Sequence, residues 1–174
     1  MTPREAEEYS ALRATIRERG SLRFVIFLVG IVAWAAATIA TAALAALPIA
    51  SLLPLLVLAS AFEAVFALHT GVERVGRYLQ VFYEDEGARE WERTAMAYGR
   101  AHPGGPDALF SVYFLLAVLL NFVPVLLAEP VRLEVSVVGA VHLVFAGRVF
   151  AARRAAGRQR AIDLERFQQL KDRS

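Results

Sequence analysis

From Phe24 to Phe62 the chain runs 39 residues without a charged side chain. A bilayer-spanning helix needs about 20 apolar residues. At about 1.5 Å per residue, one helix of this length would reach roughly 58 Å, against a hydrocarbon core of about 30 Å. The run is therefore expected to fold back once, as two spans joined by a turn at Pro48 to Ser51. A second apolar pair follows, at about 108–128 and, beyond Glu129-Pro130, up to about Ala152. The pattern predicts an all-α polytopic membrane protein, a four-transmembrane-helix bundle with short amphipathic cytosolic helices.

The polar stretches have helical periodicity of their own. Thr2-Pro3-Arg4-Glu5 reads as a capping box with proline at the first helical position, opening a helix to about Arg19. Tyr9, Leu12 and Ile16 share one face of it, and Gly20-Ser21 is expected to end it. Val72, Val75, Leu79 and Phe82 carry an apolar stripe beyond the second span, either straight on or bent at Gly71. A further polar helical piece is expected over 87–100, then a linker at His102-Pro103-Gly104-Gly105-Pro106, with Asp107 capping the third span. Residues 153–174 read as a basic helix with Leu164, Phe167 and Leu170 on one side. The expected organisation is an N-terminal helix (1–21), a transmembrane hairpin (22–70), a cytosolic helical loop (71–107), a second hairpin (108–152) and the C-terminal helix (153–174). A shift of 79 residues aligns parts of the two hairpins, but matches this sparse arise by chance in a chain rich in Ala, Val and Arg.

Charge fixes orientation. Of 19 Arg and Lys residues, all but Arg132 fall on one side of a four-span arrangement, together with both termini. The positive-inside rule makes that side cytoplasmic. The same distribution accounts for the pI of about 9.3 without nucleic acid as a partner. The apolar segment 22–47 is too long for a signal-peptide core of about 7–15 residues, so it is expected to remain as a span. Eighteen Arg against the one Lys, Lys171, point to a GC-rich bacterial genome and hence the inner membrane. The expected surroundings are a bilayer with anionic lipids at its cytosolic face, along which the basic C-terminal helix could lie unless it packs on the cytosolic loop helices.

The chemistry worth attention lies inside the spans. Glu63 and His142 fall at similar depth near the bilayer centre, where a lone charge costs at least about 2.5–3.5 kcal/mol. Each needs a partner, and a Glu63–His142 hydrogen bond is the simplest, with Arg148 as a second candidate for Glu63. Asn121, Thr38, Thr41 and Ser60 add polar groups. Such a set is either an ion or proton pathway or inert polar glue between helices. Ala33, Ala37, Thr41 and Ala45 recur every fourth residue and predict a close-packed helix seam, with Gly147 and Ala151 a weaker copy.

On the cytosolic side Glu73, Arg74, Arg77 and Trp91 are the expected interface residues, with His69, Glu73 and Arg77 forming a ladder at i, i+4 spacing. His69 and Glu73 could begin a metal site with His102 or the acids at 84–86, but two ligands at helical spacing are too few, and no metal or other cofactor is expected. The absence of cysteine removes thiolate chemistry. No Walker loop, HExxH or GxSxG is present, so an enzyme is not expected. The reading is a non-enzymatic membrane subunit or scaffold that presents a cytosolic helical surface to a protein partner or to copies of itself as a homo-oligomer. A small channel or proton-coupled transporter built on Glu63 and His142 is the alternative.

Overall fold

The computed structural model of the 174-residue chain describes residues 1–44, 47–84, 90–102 and 107–173. It is all-helical, with no strand among the described residues. The helices are α1 (Pro3–Leu44), α2 (Leu52–Phe82), α3 (Trp91–Ala101), α4 (Ser111–Leu127) and α5 (Arg132–Lys171), with a short 3-10 turn at Pro48–Ser51 before α2. The chain divides into two compact units. One combines Met1–Leu22, Ala67–Ala108 and Ala155–Ser174; the other combines Arg23–Phe66 and Leu109–Arg154. They are called here the polar and the apolar unit.

Several expected boundaries are not breaks. The capping box forms, with Thr2 N–H donating to Glu5 Oε2 at 2.5 Å and Glu5 N–H to Thr2 Oγ1 at 3.3 Å. The helix it opens does not stop at Gly20-Ser21, however, but continues to Leu44. One glycine costs a helix interior only about 1 kcal/mol, which the apolar run behind it overrides. α2 likewise passes unbroken through Gly71, and α5 through residue 152. Asp107 does not cap α4. That helix starts at Ser111, and its N-cap is Phe110 at φ 52°, a left-handed conformation strained for an aromatic residue. Phe110 is held there by stacking on Phe27, with ring centroids 4.3 Å apart. The acids at 85–86, the linker glycines and Ala45 lie outside the described residues.

Three helices are long and apolar enough to cross a membrane: Pro3–Ala43, Pro48–Phe82 and Arg132–Lys171. α4 is shorter, 17 residues with Pro124 inside it. At about 1.5 Å per residue it is roughly 26 Å long, just under a hydrocarbon thickness of about 30 Å.

The apolar unit is held by a chain of edge-to-face rings. Phe27 meets Phe114, which meets Phe62, which meets Phe145, at centroid distances of 5.7, 5.1 and 5.9 Å. Leu58, Val65 and Val149 are fully buried beside them. α1 approaches α2 where Gly30 faces Ala61, so closely that a Cβ on Gly30 would overlap the Ala61 methyl. The outer faces of the same helices are apolar too: Val29, Val32, Leu119, Leu127, Leu143 and Val144 are all more than half exposed. Soluble monomers rarely carry apolar surface on this scale.

The polar unit inverts this arrangement. Arg77, Glu84, Glu92, His69 and Asp163 are buried in it beside Leu79, Val81 and Ala156. Tyr78 packs against Phe82 and Phe167, and Tyr9 against Tyr83.

Candidate functional site

In the apolar unit the polar side chains converge on Asn121, which has no exposed surface. Trp34 Nε1–H donates to its Oδ1 at 3.1 Å, and Thr38 Oγ1 lies 3.4 Å from the same oxygen while its single proton is nearer the Trp34 carbonyl, at 2.9 Å. Its Nδ2 donates to the Ser51 carbonyl at 2.9 Å and lies 3.0 Å from His142 Nε2. An indole can only donate and a carbonyl only accept, so the amide orientation is fixed. His142 Nε2 must then accept from the amide. Its Nδ1 lies 2.8 Å from the Val138 carbonyl, which can only accept, so that nitrogen carries the hydrogen. The imidazole is therefore held neutral in one tautomer. The amide uses both donors and accepts from the Trp34 indole, tying α1, the 3-10 turn, α4 and α5 together. A second proton on His142 would set N–H against N–H.

Glu63 does not meet His142. Its carboxylate accepts from Arg148 Nη2 at 2.8 Å, between α2 and α5. The Arg148 guanidinium also lies over the Phe66 ring, 4.5 Å from the centroid, and 5.7 Å from that of Phe62. The pair expected from depth is thus replaced by two separate arrangements, Glu63–Arg148 and Asn121–His142. Depth sets the height of a side chain along a helix; helix rotation decides which neighbour it faces. Glu63 and Arg148 are partly exposed, with side-chain exposures of 49% and 34%, whereas Asn121 and His142 are buried.

The small-residue stripe of α1 is not the face packed within the chain. Ala33 is exposed, Ala37 and Thr41 are half-buried, and Ala45 lies outside the described residues. The packed face of α1 instead carries Phe27, Gly30, Ile31, Trp34 and Thr38. Thr41 turns its hydroxyl back to the Ala37 carbonyl at 2.8 Å. Gly147 has open space around it.

In the polar unit the expected interface residues become internal ties. Arg77 donates to Gln80 Oε1 at 2.5 Å and pairs with Glu92 at 3.3 Å. Glu92 also takes Arg13 of α1 at 2.6 Å. Glu73 pairs with Arg160 at 2.6 Å and Arg74 with Asp163 at 3.2 Å, both on α5. Tyr78 donates to Glu8 at 3.0 Å, and Lys171 Nζ to the Val81 carbonyl at 2.7 Å. Trp91 is exposed. Glu84 receives the backbone N–H groups of Glu92 and Arg93 at 2.7 and 3.0 Å, closing the start of α3 with a carboxylate six residues upstream of the formal N-cap, Glu90. Burial lowers the pKa of Arg77, and Glu73 and Glu92 act against that shift.

Sequence reasoning passed over Glu92, Arg13 and Trp34. The available signals were a tryptophan N–H inside an apolar span, which requires an acceptor, and Gly76 inside a helix, which marks a close approach. A Cβ at Gly76 would sit 2.9 Å from Glu92 Oε2. His69 is buried, and no group of three acidic or imidazole side chains able to hold a metal occurs among the described residues. Compared with protein-family models, curated proteins and solved structures, the chain matches none of them.

Proposed function

We propose that the protein is a non-enzymatic integral membrane subunit or scaffold, a four-span bundle with both termini in the cytoplasm, whose polar unit is its cytosolic surface for a protein partner or for copies of itself. The observation that carries this reading is the make-up of the polar unit. It is assembled from three stretches separated by the apolar runs, tied by Arg13–Glu92, Tyr78–Glu8, Arg74–Asp163 and Lys171–Val81. Stretches that pair with one another must lie on one side of a membrane, so an even number of crossings must separate each from the next. α5 is long enough to cross, so α4 must cross with it despite its 17 residues. The clustering of Arg and Lys in these stretches makes their side the cytoplasm.

The same geometry argues against the transporter alternative. Within the apolar unit charged residues lie at its chain ends or around the α4–α5 turn, apart from Glu63 and Arg148, which neutralise each other. His142 is committed to Asn121 and Val138 and has no free site for a travelling proton. A buried amide hub that joins four elements supports the role of polar glue. Purified protein in liposomes should be electrically silent and should not dissipate a pH gradient. Proton or cation flux abolished by Glu63→Gln in a folded protein would establish the transporter reading instead.

A further inference from the structure

One charged pair in the apolar unit is left half open. Glu63 lies twelve residues beyond Ser51, about 18 Å into a hydrocarbon core of about 30 Å. Its Oε2 accepts from Arg148 Nη2, and among the described residues no donor reaches Oε1. The Glu63 side chain stays 49% exposed and that of Arg148 34%. In water, solvent would satisfy what the pair leaves unmade. Hydrocarbon offers no solvent, and charges within a membrane face protein or a water-filled cavity. The cavity of the apolar unit lies around Asn121, Pro48 and Pro124 and does not include the pair. The surface beside the pair suits close approach. On α2 the exposed stripe continues through Ser60 and Leu56, at i−3 and i−7 from Glu63. On α5 Val144, Gly147 and Ala151 form an exposed stripe next to Arg148, with open space around Gly147. Small residues at this spacing let a neighbouring helix come near.

We propose that this α2–α5 face is the interface of a homodimer, in which the Glu63–Arg148 pairs of two copies complete each other. The proposal rests on the membrane reading above. Charge and depth identify the occupant. Copies inserted the same way carry the pair at the same depth, so a two-fold axis along the membrane normal sets each carboxylate against the guanidinium of the second copy. The four charges then sum to zero away from lipid, and Oε1 gains a donor. A lipid chain offers no hydrogen bond. An unrelated protein would need a matching acid and base at that level, which a second copy has by construction.

The test uses the full chain with Arg173→Cys as its only thiol, labelled with donor or acceptor dye and reconstituted in liposomes at falling protein-to-lipid ratios. Energy transfer should follow a saturable monomer–dimer equilibrium and rise linearly with acceptor fraction. Gly147→Leu, which the open space around Gly147 accommodates within one copy, should weaken dimerisation at least about tenfold by holding the two backbones apart. Glu63→Gln should weaken it as well, since it leaves two guanidiniums facing each other without a carboxylate. Ala33→Leu, on the exposed small-residue stripe of α1, should leave it unchanged. A monomer at every ratio means that lipid or a different protein covers the face, and overturns the proposal. So does a dimer that keeps its affinity in Gly147→Leu or loses it in Ala33→Leu. Carbonate extraction of the source membranes separates this failure from failure of the membrane reading. Protein that is retained but monomeric ends the dimer alone, whereas protein released without detergent ends both.

Discussion

Asn121 shows how far single residues explain this chain. An amide in the middle of an apolar helix is legible in the sequence as a group that must find partners, and so are Glu63, His142 and Arg148. Which partners they find is not legible, because that depends on the rotation of each helix about its axis. Asn121→Leu removes three hydrogen bonds and strands Trp34 Nε1–H and His142 Nε2. Interhelical hydrogen bonds in membranes average about 0.6 kcal/mol each, so a loss of about 2 kcal/mol is expected in a denaturation measurement in detergent. Glu63→Gln should cost less, since its partner Arg148 keeps its place over Phe66 and both side chains are partly exposed. A larger loss from Glu63→Gln than from Asn121→Leu would reverse this ranking. Glu5 gives a pH dependence. Its hydrogen bonds with Thr2, the backbone one foremost, lower its pKa from 4.5. The capping contribution is therefore fully present above the unfolded value and lost as pH falls through the lower folded value. Amide protection in the first turn of α1 should fade in that acidic window, and Glu5→Gln should remove the dependence.

At the scale of elements, the order of the apolar and polar helical stretches could be read from periodicity, but neither the number of separate helices nor their ends could. Gly20, Gly71 and the junction at 152–153 look like boundaries in composition, yet each lies inside a helix. Helix propensity is a weak local term, and hydrogen bonding along a helix of 40 residues carries it through. The small-residue stripe is not the face that α1 packs within this chain, for a related reason. The period-four pattern of Ala33, Ala37 and Thr41 is real, but α1 turns Gly30 and Trp34 inward instead. Gly30→Leu should therefore disrupt α1–α2 packing, costing more than about 1–3 kcal/mol because Ala61 has no room to retreat, while Ala33→Leu should be tolerated in thermal unfolding of the isolated protein. Equal effects would mean that the exposed alanine face is covered after all. In the polar unit Gly76→Ala should loosen α3, since the added methyl meets the Glu92 carboxylate held by Arg13 and Arg77.

For the whole molecule the decisive question is whether α4 crosses. Its 17 residues and internal proline leave it short by length alone, and an isolated segment of about 26 Å mismatches a 30 Å core. Mismatch costs only fractions of a kcal/mol per Å, however, whereas leaving α4 on one side would carry the basic C-terminal stretch across the membrane. It would also sever Arg74–Asp163, Arg160–Glu73 and Lys171–Val81, which join that stretch to α2. The positive-inside preference and these ties point the same way, from independent observations. A reporter active only outside the cytoplasm should accordingly work when fused at Pro48 or Arg132 and be silent at Gly104 and at the C-terminus. The charge-reversed pair supplies a second check. Arg74→Glu and Asp163→Arg should each weaken docking of the C-terminal stretch, seen as faster proteolysis there, and the double change should restore protection. An active C-terminal fusion together with failed restoration would leave three crossings, and the polar unit could not then form on one side of any membrane.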